Sequence, residues 1–343
     1  MILVMTLNAK KGNKTLEKEI VIGTLASHSA LNILSGAQKE GFKTLLFSKE
    51  NRNEFYKSFD IADEIVNVKD YVECLDSSWN TKNLVLIPHG SFVAYLSLDK
   101  IINSSIPIFG TKKLLQWEAN RVLKSKLMIE SGFTVPKEYE TVQEVGNKPV
   151  IVKFDGAEGG KGYFVAQNKQ DLINKIAEKN LKQAKMHFQE YIVGNKVYVQ
   201  FFQSPIRNTL EIFGADIRYE TDVDSKIRFD DEWSFQIIGN LPVVLRESLL
   251  MEFYTMGKNF VQAVKKNLGT NMVGPFCLET IVDRNLQIYC FEFSGRIVAG
   301  TNIFVPTSPY SYITHKKKMW MGRRIALEIN EALEQDRLQE VFQ

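Results

Sequence analysis

The chain has 343 residues, of which 44% are hydrophobic and 24% charged, with 43 basic against 40 acidic side chains and a formal charge of +3. That length allows a large core in two or three lobes without disulfide or metal staples, and the composition excludes a disordered or collagen-like protein. Basic and acidic residues are spread evenly, so no strong field is expected for nucleic acid or an anionic membrane, and small anions remain the charged partners to consider.

The opening "MILVMTLNAKKG" is apolar but shorter than a secretory core region, and no later run reaches the length of a membrane span. Cys74, Cys277 and Cys290 form no CxxC, and two of them lie in apolar strand-like runs. They read as structural thiols, and the expected location is the cytoplasm. From Glu19 the chain reads as strand "EIVIGTL", helix "SHSALNILSGAQKEG", strand "FKTLLFS", short strand "EIVNV", a helix near Tyr71 to Leu75, and strand "NLVLIP". Ala30, Leu31, Ile33 and Leu34 recur at helical spacing and Gly41 is placed to stop the helix, so the alternation predicts a parallel sheet with helices packed on it.

A long helical pattern follows in "KKLLQWEANRVLKSKLMIESG", with Leu114, Leu115, Val122, Leu123, Leu127 and Met128 near the helical period, and a domain boundary is expected in this region. Beyond it the strands crowd together as "PVIVKF", "GYFVA", "HFQEYIV", "KVYVQFFQS" and "TLEIFGADIRYE", with helix "DLINKIAEKN" inserted. A helix "RESLLMEFYTMGKNFVQAVKKNL", strands "GPFCLETIVD" and "LQIYCFEFSGRIV", and a closing helix "GRRIALEINEALEQDRLQEV" complete a mixed α+β half built largely on antiparallel sheet.

Between "VIVKF" and "GYFVA" lies "GAEGGKG". It is not a Walker A loop, because Lys161 is followed by Gly162 and then by a strand, and no GxGxxG occurs. A strand, a glycine loop and a returning strand can lay backbone N–H groups and Lys161 over a polyphosphate, with Lys153 as a second cation. The plain alternative is a loose hairpin with Lys153 snorkelling from a sheet edge. Near the end, Glu279 in "FCLETIV" and Glu292 in "CFEFSGR" sit among apolar strand residues, where unpaired carboxylates are costly to bury. Two carboxylates about 4 Å apart repel by roughly 4 kcal/mol at an effective dielectric of about 20. A divalent cation relieves that repulsion, and oxygen-only ligands completed by a nucleotide describe Mg²⁺. Arg296 can project from the same face of this segment. The alternatives are a solvated face, or an ordinary ion pair between Arg296 and one of the glutamates.

These residues resemble the ATP-grasp superfamily, with a lysine-bearing glycine loop between antiparallel strands, a "QEYI" hinge for adenine and an E-x-N-x-R metal strand. The matching positions are Lys153, Gly156 to Gly162, "QEYIVG" from Gln189, Glu279 and "EFSGR" from Glu292. Ser294 stands where many members have Asn. Further blocks, "GTLASHSALNILSGAQKEGF", "IPHGSFVAY", "PIFGTKKLLQWE", "GNLPVVLRESLL", "GPFCLE" and "FEFSGRIVAGTN", extend the likeness over nearly the whole chain to the archaeal PurP family. Its members are formate-dependent synthetases that convert the purine intermediate AICAR to FAICAR at the expense of ATP.

The resemblance implies an α/β and α+β architecture. A Rossmann-like parallel-sheet lobe over residues 1–115 takes AICAR, and an ATP-grasp domain over 116–343 holds ATP and Mg²⁺ (or Mn²⁺) between two subdomains. It assigns Lys153, Gly159, Gly160, Lys161, Gly162, Glu190, Tyr191, Ile192 and Glu220 to ATP, Glu279 and Glu292 to metal, and Lys153 and Arg296 to catalysis. His28, Ser91 and Asn240 go to AICAR, Thr301 and Asn302 to formate or phosphate, and a homo-oligomer is expected. The "SHS" at Ser27 to Ser29 and "PHGS" at Pro88 to Ser91 each follow a strand, at the carboxyl edge where open parallel sheets bind ligands. The plain alternative is that His28 caps a helix and His89 orders a turn. A different ATP-grasp ligase joining another carboxylate to another amine, and a non-catalytic nucleotide-binding paralogue, are the rival readings.

Overall fold

The computed structural model describes residues 20–27, 29–154, 163–181, 185–220, 237–298 and 308–342. The first of its three sheets contains β1 (Val21–Leu25), β2 (Lys43–Ser48), β3 (Glu64–Asn67) and β4 (Leu84–Leu86) in the order β3-β2-β1-β4, all neighbours parallel. In β2 every residue after Lys43 is buried, as a strand covered on both faces requires. Helix α1 (Ala30–Lys39) lies where its apolar period predicts it, and Gly41 turns the chain with φ +80°. The polar run after β2 folds as a short helix, α2 (Glu50–Lys57), which no apolar period announces: Tyr56 alone of it is buried. Residues Tyr71–Leu75 form a 3₁₀ turn capped by Asp70 and Glu73. Helices α3 (Gly90–Tyr95) and α4 (Leu98–Asn103) follow β4.

The long helix expected next is two helices, α5 (Lys112–Ala119) and α6 (Arg121–Glu130). Asn120 breaks it: its side-chain oxygen accepts the Leu123 N–H at 3.0 Å, and this N-cap restarts the helix in a new direction. The boundary expected between residues 115 and 116 therefore falls inside α5.

A second, antiparallel sheet of order β5-β8-β6-β7 is formed by β5 (Glu138–Tyr139), β6 (Val150–Phe154), β7 (Tyr163–Ala166) and β8 (Met186–Glu190), with α7 (Lys169–Glu178) beside it. The third, also antiparallel, runs β11-β10-β9-β12-β13, from β9 (Gly194–Ser204), β10 (Thr209–Glu220), β11 (Ile237–Pro242), β12 (Gly274–Asp283) and β13 (Ile288–Ser294). Helix α8 (Glu247–Leu268) packs Phe253 and Phe260 onto it, and stacked rings join Phe260 to Phe276 and Phe276 to Phe201 at 5.0 and 4.9 Å. Among the described residues no helix is long and apolar enough to cross a membrane. All three cysteines are free and buried, and burial pushes their thiols up, which matches a packing role.

After α9 (Pro309–His315), the closing helix α10 (Met321–Glu334) returns to lie on α1. Its buried Met321, Ile325 and Ile329 share one apolar cluster with Ile22 and Ile33 of the first lobe and Phe202 of the third sheet. On its other side, fully buried Arg324 donates to Glu211 at 2.9 Å and to Glu328 at 2.8 Å, with its guanidinium 4.1 Å from the Phe202 ring. Burial raises the Glu211 carboxyl, but His315 and Arg324 outweigh it and hold it down at about 2.

The two helices touch backbone to backbone, with Gly36 against Gly322 and Arg323, and Gly322 against Asn32. A methyl group has no room there. Gly36→Ala is expected to destabilise the whole fold by about 1–3 kcal/mol, read as a lowered urea midpoint with an unchanged slope; an unchanged midpoint would mean that the helix contact is not close.

Candidate active site

Glu279 of β12 and Glu292 of β13 are directly paired across the two strands. The register shifts between Glu279 and Thr280, a bulge of the kind that re-aims side chains near functional sites. Neither carboxylate is left alone. Glu279, only 7% exposed, accepts both terminal nitrogens of Arg218 at 3.0 and 3.2 Å and the Ser294 hydroxyl at 3.1 Å. Ser294, the residue that departs from the E-x-N-x-R pattern, thus supplies a hydroxyl to the first glutamate. Arg218 also stacks on the Tyr198 ring at 3.7 Å, and Glu279 raises its already high pKa against the pull of burial.

Glu292 pairs with Lys124 of α6. Removal from water pushes the Glu292 carboxyl up, but Lys124, then Lys153 and Arg218, outweigh this and hold it below the ordinary range. Lys153 of β6 donates to Gln189 at 2.8 Å, and its own pKa is lowered by burial despite the attraction of Glu292. The site therefore gathers two carboxylates and cations from three separate segments. Among the described residues no group of three or more His, Cys, Asp or Glu side chains could hold a metal. Two carboxylate ligands with the remaining positions left to other oxygens fit Mg²⁺ held jointly with a nucleotide, and do not fit a self-sufficient metal centre.

Arg296 pairs with Glu118 of α5 at 2.6 Å and with neither strand glutamate, while the Gly295 N–H donates to the same carboxylate at 2.9 Å. The ion-pair alternative was right in kind and wrong in partner. The Arg296 Nε is buried without a hydrogen-bond partner, so the guanidinium has donor capacity in hand. Asn240 of β11 donates to Asp216 at 2.8 Å, and Gln200 donates to the other oxygen of the same carboxylate. This turns the Asn240 side-chain oxygen away from Asp216, as an acceptor. Burial pushes the Asp216 carboxyl up to about 6, against the pull of Arg218 and the two amides.

At the adenine hinge, Glu190 pairs with Lys148 at 2.7 Å and the Tyr191 N–H donates to Pro149 at 2.9 Å, where Ile192 leaves the strand. In the first lobe, the Ser91 hydroxyl donates to the Ser27 hydroxyl at 2.6 Å, joining the segments after β4 and β1. Strand order reverses between these two strands, so their carboxyl ends flank the crevice in which open α/β sheets bind ligands. His89 orders that turn: its Nδ1 accepts the Ser91 N–H at 3.2 Å, and Nε2 donates to the Leu25 carbonyl at 3.0 Å. His89 also bridges to Ile297, which ties this edge to the residue after Arg296. His28, Gly159, Gly160, Lys161, Gly162, Thr301 and Asn302 lie outside the described residues, as does the side chain of Glu220.

Lys124, Arg218, Asp216 and Glu118 escaped the sequence reading. For Asp216 and Arg218 a signal existed: with Glu220 they alternate along one face of "DIRYE". Lys124 and Glu118 look like ordinary charges on an amphipathic helix until Asn120 breaks it.

Two family models match the chain, one described as Domain of unknown function (DUF1297) over residues 165–343 and one as Protein of unknown function (DUF1246) over 22–139. Similar curated proteins include the 5-formaminoimidazole-4-carboxamide-1-(beta)-D-ribofuranosyl 5'-monophosphate synthetases of Ignicoccus hospitalis, 45% identical over 94% of this chain and 96% of that one, and Sulfolobus acidocaldarius, 44% identical over 93% and 98%. Among solved structures, an IMP biosynthesis protein PurP from Thermococcus kodakaraensis superposes with a TM-score of 0.79 at 31% identity, covering 94% of this chain and all of that one. N5-carboxyaminoimidazole synthetase from Staphylococcus aureus, complexed with ADP, shares the fold alone, with a TM-score of 0.62 at 17% identity over 82% and 72% of the two chains.

The buried Asp216 gives a pH signature. Its carboxyl titrates near 6 when folded and near 4 when unfolded, so the stability linked to it is full below about 4 and is lost as pH rises through about 6. The stability of Asp216→Asn relative to wild type should therefore increase between about pH 4 and pH 6, by a total on the order of 2–3 kcal/mol, and hold constant above. Urea denaturation of both proteins across that range checks it; a constant difference at every pH would remove the assignment.

Proposed function

The chain belongs to the PurP family of 5-formaminoimidazole-4-carboxamide ribonucleotide synthetases, and from that membership we propose that it is an ATP-grasp ligase that formylates AICAR with ATP and formate, in IMP biosynthesis. The observation that carries the reading is the meeting of Glu279, Glu292, Lys124, Lys153 and Arg218 at one place, joined through Arg296 and the His89 to Ile297 bridge to the Ser27 and Ser91 edge. A polyanion site and a small-ligand site thus adjoin. The lobe over 1–115 carries the AICAR side and residues 116–343 the ATP side, with α10 packed on both.

In this reading Lys153, Lys124 and the loop residues Gly159 to Gly162 neutralise the triphosphate. The backbone after Glu190, at Tyr191 and Ile192, faces adenine, and Glu220 holds the nucleoside. Glu279 and Glu292 hold Mg²⁺ or Mn²⁺, which when bound screens the phosphate charge. A formate oxygen attacks the γ-phosphorus, the bond to the β-phosphate oxygen breaks, and ADP leaves with formyl phosphate formed. The 5-amino group of AICAR, positioned by His28, Ser91 and Asn240, then attacks the formyl carbon, gives up a proton and displaces phosphate. Arg296, oriented by Glu118, steadies that leaving phosphate through its free donor, with Thr301 and Asn302 beside it. No protein nucleophile takes part.

ADP release should require formate and AICAR together and yield FAICAR. Glu292→Gln should reduce turnover by about a hundredfold or more. Near-normal turnover in that variant would remove the metal role, and ADP release with another carboxylate and amine would move the chain to a different ATP-grasp reaction.

A further inference from the structure

The face of the third sheet that carries Glu279 and Arg218 also carries a buried carboxylate to which the reaction gives no task. Asp216 precedes Arg218 by two residues on β10 and so shares its face, and Asn240 of β11 lies opposite Arg218 in the register. Asp216 is fully buried, and among the described residues its side chain accepts from two amides only. Gln200 donates to one oxygen, and the Asn240 Nδ2 donates to the other at 2.8 Å. The Gln200 Nε2 donates also to the Tyr198 carbonyl at 3.3 Å. A backbone carbonyl only accepts, and so does an ionised carboxylate, so each amide in the chain from Tyr198 through Gln200 and Asp216 to Asn240 has one permitted orientation. Asn240 ends that chain half-buried, with its Oδ1 turned from Asp216 and without a hydrogen-bond partner among the described residues.

We propose that Asp216 is a positioning residue that sets specificity: it holds the Asn240 amide with its oxygen toward the substrate, and so selects a ligand that presents an N–H there. This rests on the reading of Asn240 as a contact to AICAR. The two ends of a side-chain amide are nearly the same size, and β11 is an edge strand, so a half-buried asparagine on it could offer a donor or an acceptor alike. The Asp216 carboxylate removes that choice. A neutral amide of the same shape at position 216 would reverse it. Gln200, held as a donor by the Tyr198 carbonyl, would require the oxygen of that amide, leaving its NH₂ group to face Asn240 and turn the Asn240 oxygen inward. AICAR carries N–H donors on its 5-amino group and on its carboxamide, and an acceptor at Asn240 suits either. A ribonucleotide with an acceptor in place of that donor meets two lone pairs opposed in a partly dry site and is rejected.

The test is equilibrium binding of three ligands to the whole chain, in wild type and Asp216→Asn: AICAR, the same ribonucleotide with a carboxylate in place of the carboxamide, and the same ribonucleotide with hydrogen in place of the 5-amino group. Asp216→Asn should weaken AICAR by about 30-fold, the scale of a substrate donor left facing a donor. Wild type should reject the analogue that lacks the contacted N–H, and Asp216→Asn should lose that preference. The analogue whose rejection disappears identifies the N–H that Asn240 accepts. Asp216→Ala offers Asn240 no donor and leaves its amide free to turn, so the same preference should shrink by a smaller factor; this variant decides the matter if Asp216→Asn does not fold. Loosened packing would weaken all three ligands alike, so equal weakening, or unchanged preferences in the folded variants, overturns the positioning role while AICAR binding by wild type leaves the substrate reading intact. Wild type that binds none of the three overturns both.

Discussion

Two glutamates paired on adjacent strands cannot both stay charged in a crevice without cations within reach. That constraint organises the site. Glu279 takes Arg218 from the neighbouring strand β10, and Glu292 takes Lys124 from α6 with Lys153 behind it from the second sheet. No two of these cations come from the same element. The charge balance therefore exists only when α6 and both antiparallel sheets have docked, and the packing that brings α6 onto the third sheet is apolar: Phe253, Phe260, Phe276 and Phe293 lie under that sheet, with Leu127 and Met128 of α6 in the same cluster. Hydrophobic burial sets the distances and the ion pairs use them.

The elements that carry a local signal were legible: the four parallel strands, α1, β8, β12, β13 and α8 stand where period and turn residues put them. What local pattern misses is what long-range contact decides. Asn120 sits in the middle of an unbroken helical period, and only its side-chain bond to the Leu123 N–H makes it a cap. The residues 50–57 have no apolar face, and α2 is held to the lobe by buried Tyr56 and by Arg52, which donates to the Ala26 carbonyl. In the site, Glu279, Glu292, Lys153 and Arg296 could be picked out as charges on apolar strands or beside glycines, but their partners could not. Arg296 finds Glu118 across 178 residues and Glu292 finds Lys124 across 168. Ser294 shows the limit of a motif read by identity: it differs from the usual asparagine, yet its hydroxyl meets Glu279.

Besides the packing of α10 on α1, the two halves meet at a polar seam beside the site. His89 fastens the end of β4 to β1 through Leu25 and reaches Ile297, while the preceding Arg296 leans on Glu118 of α5. A displacement of the first lobe is thus felt within one residue of the guanidinium assigned to the departing phosphate. Such a short mechanical path suits chemistry in which a reactive acyl group has to meet an amine held by a different sheet.

The return of α10 to the first lobe has a consequence for biosynthesis. Ile22 and Ile33 are covered by Met321, Ile325 and Ile329, which are translated roughly 300 residues later. Until then the outer face of α1 lacks its cover, and Gly36 waits for a backbone that has not been made. The first lobe cannot reach its final packing until α10 has been made, although its sheet is complete by Leu86; the nascent protein carries an open apolar stripe for as long as the roughly 240 residues from there to α10 take to appear, at roughly 5–20 residues per second.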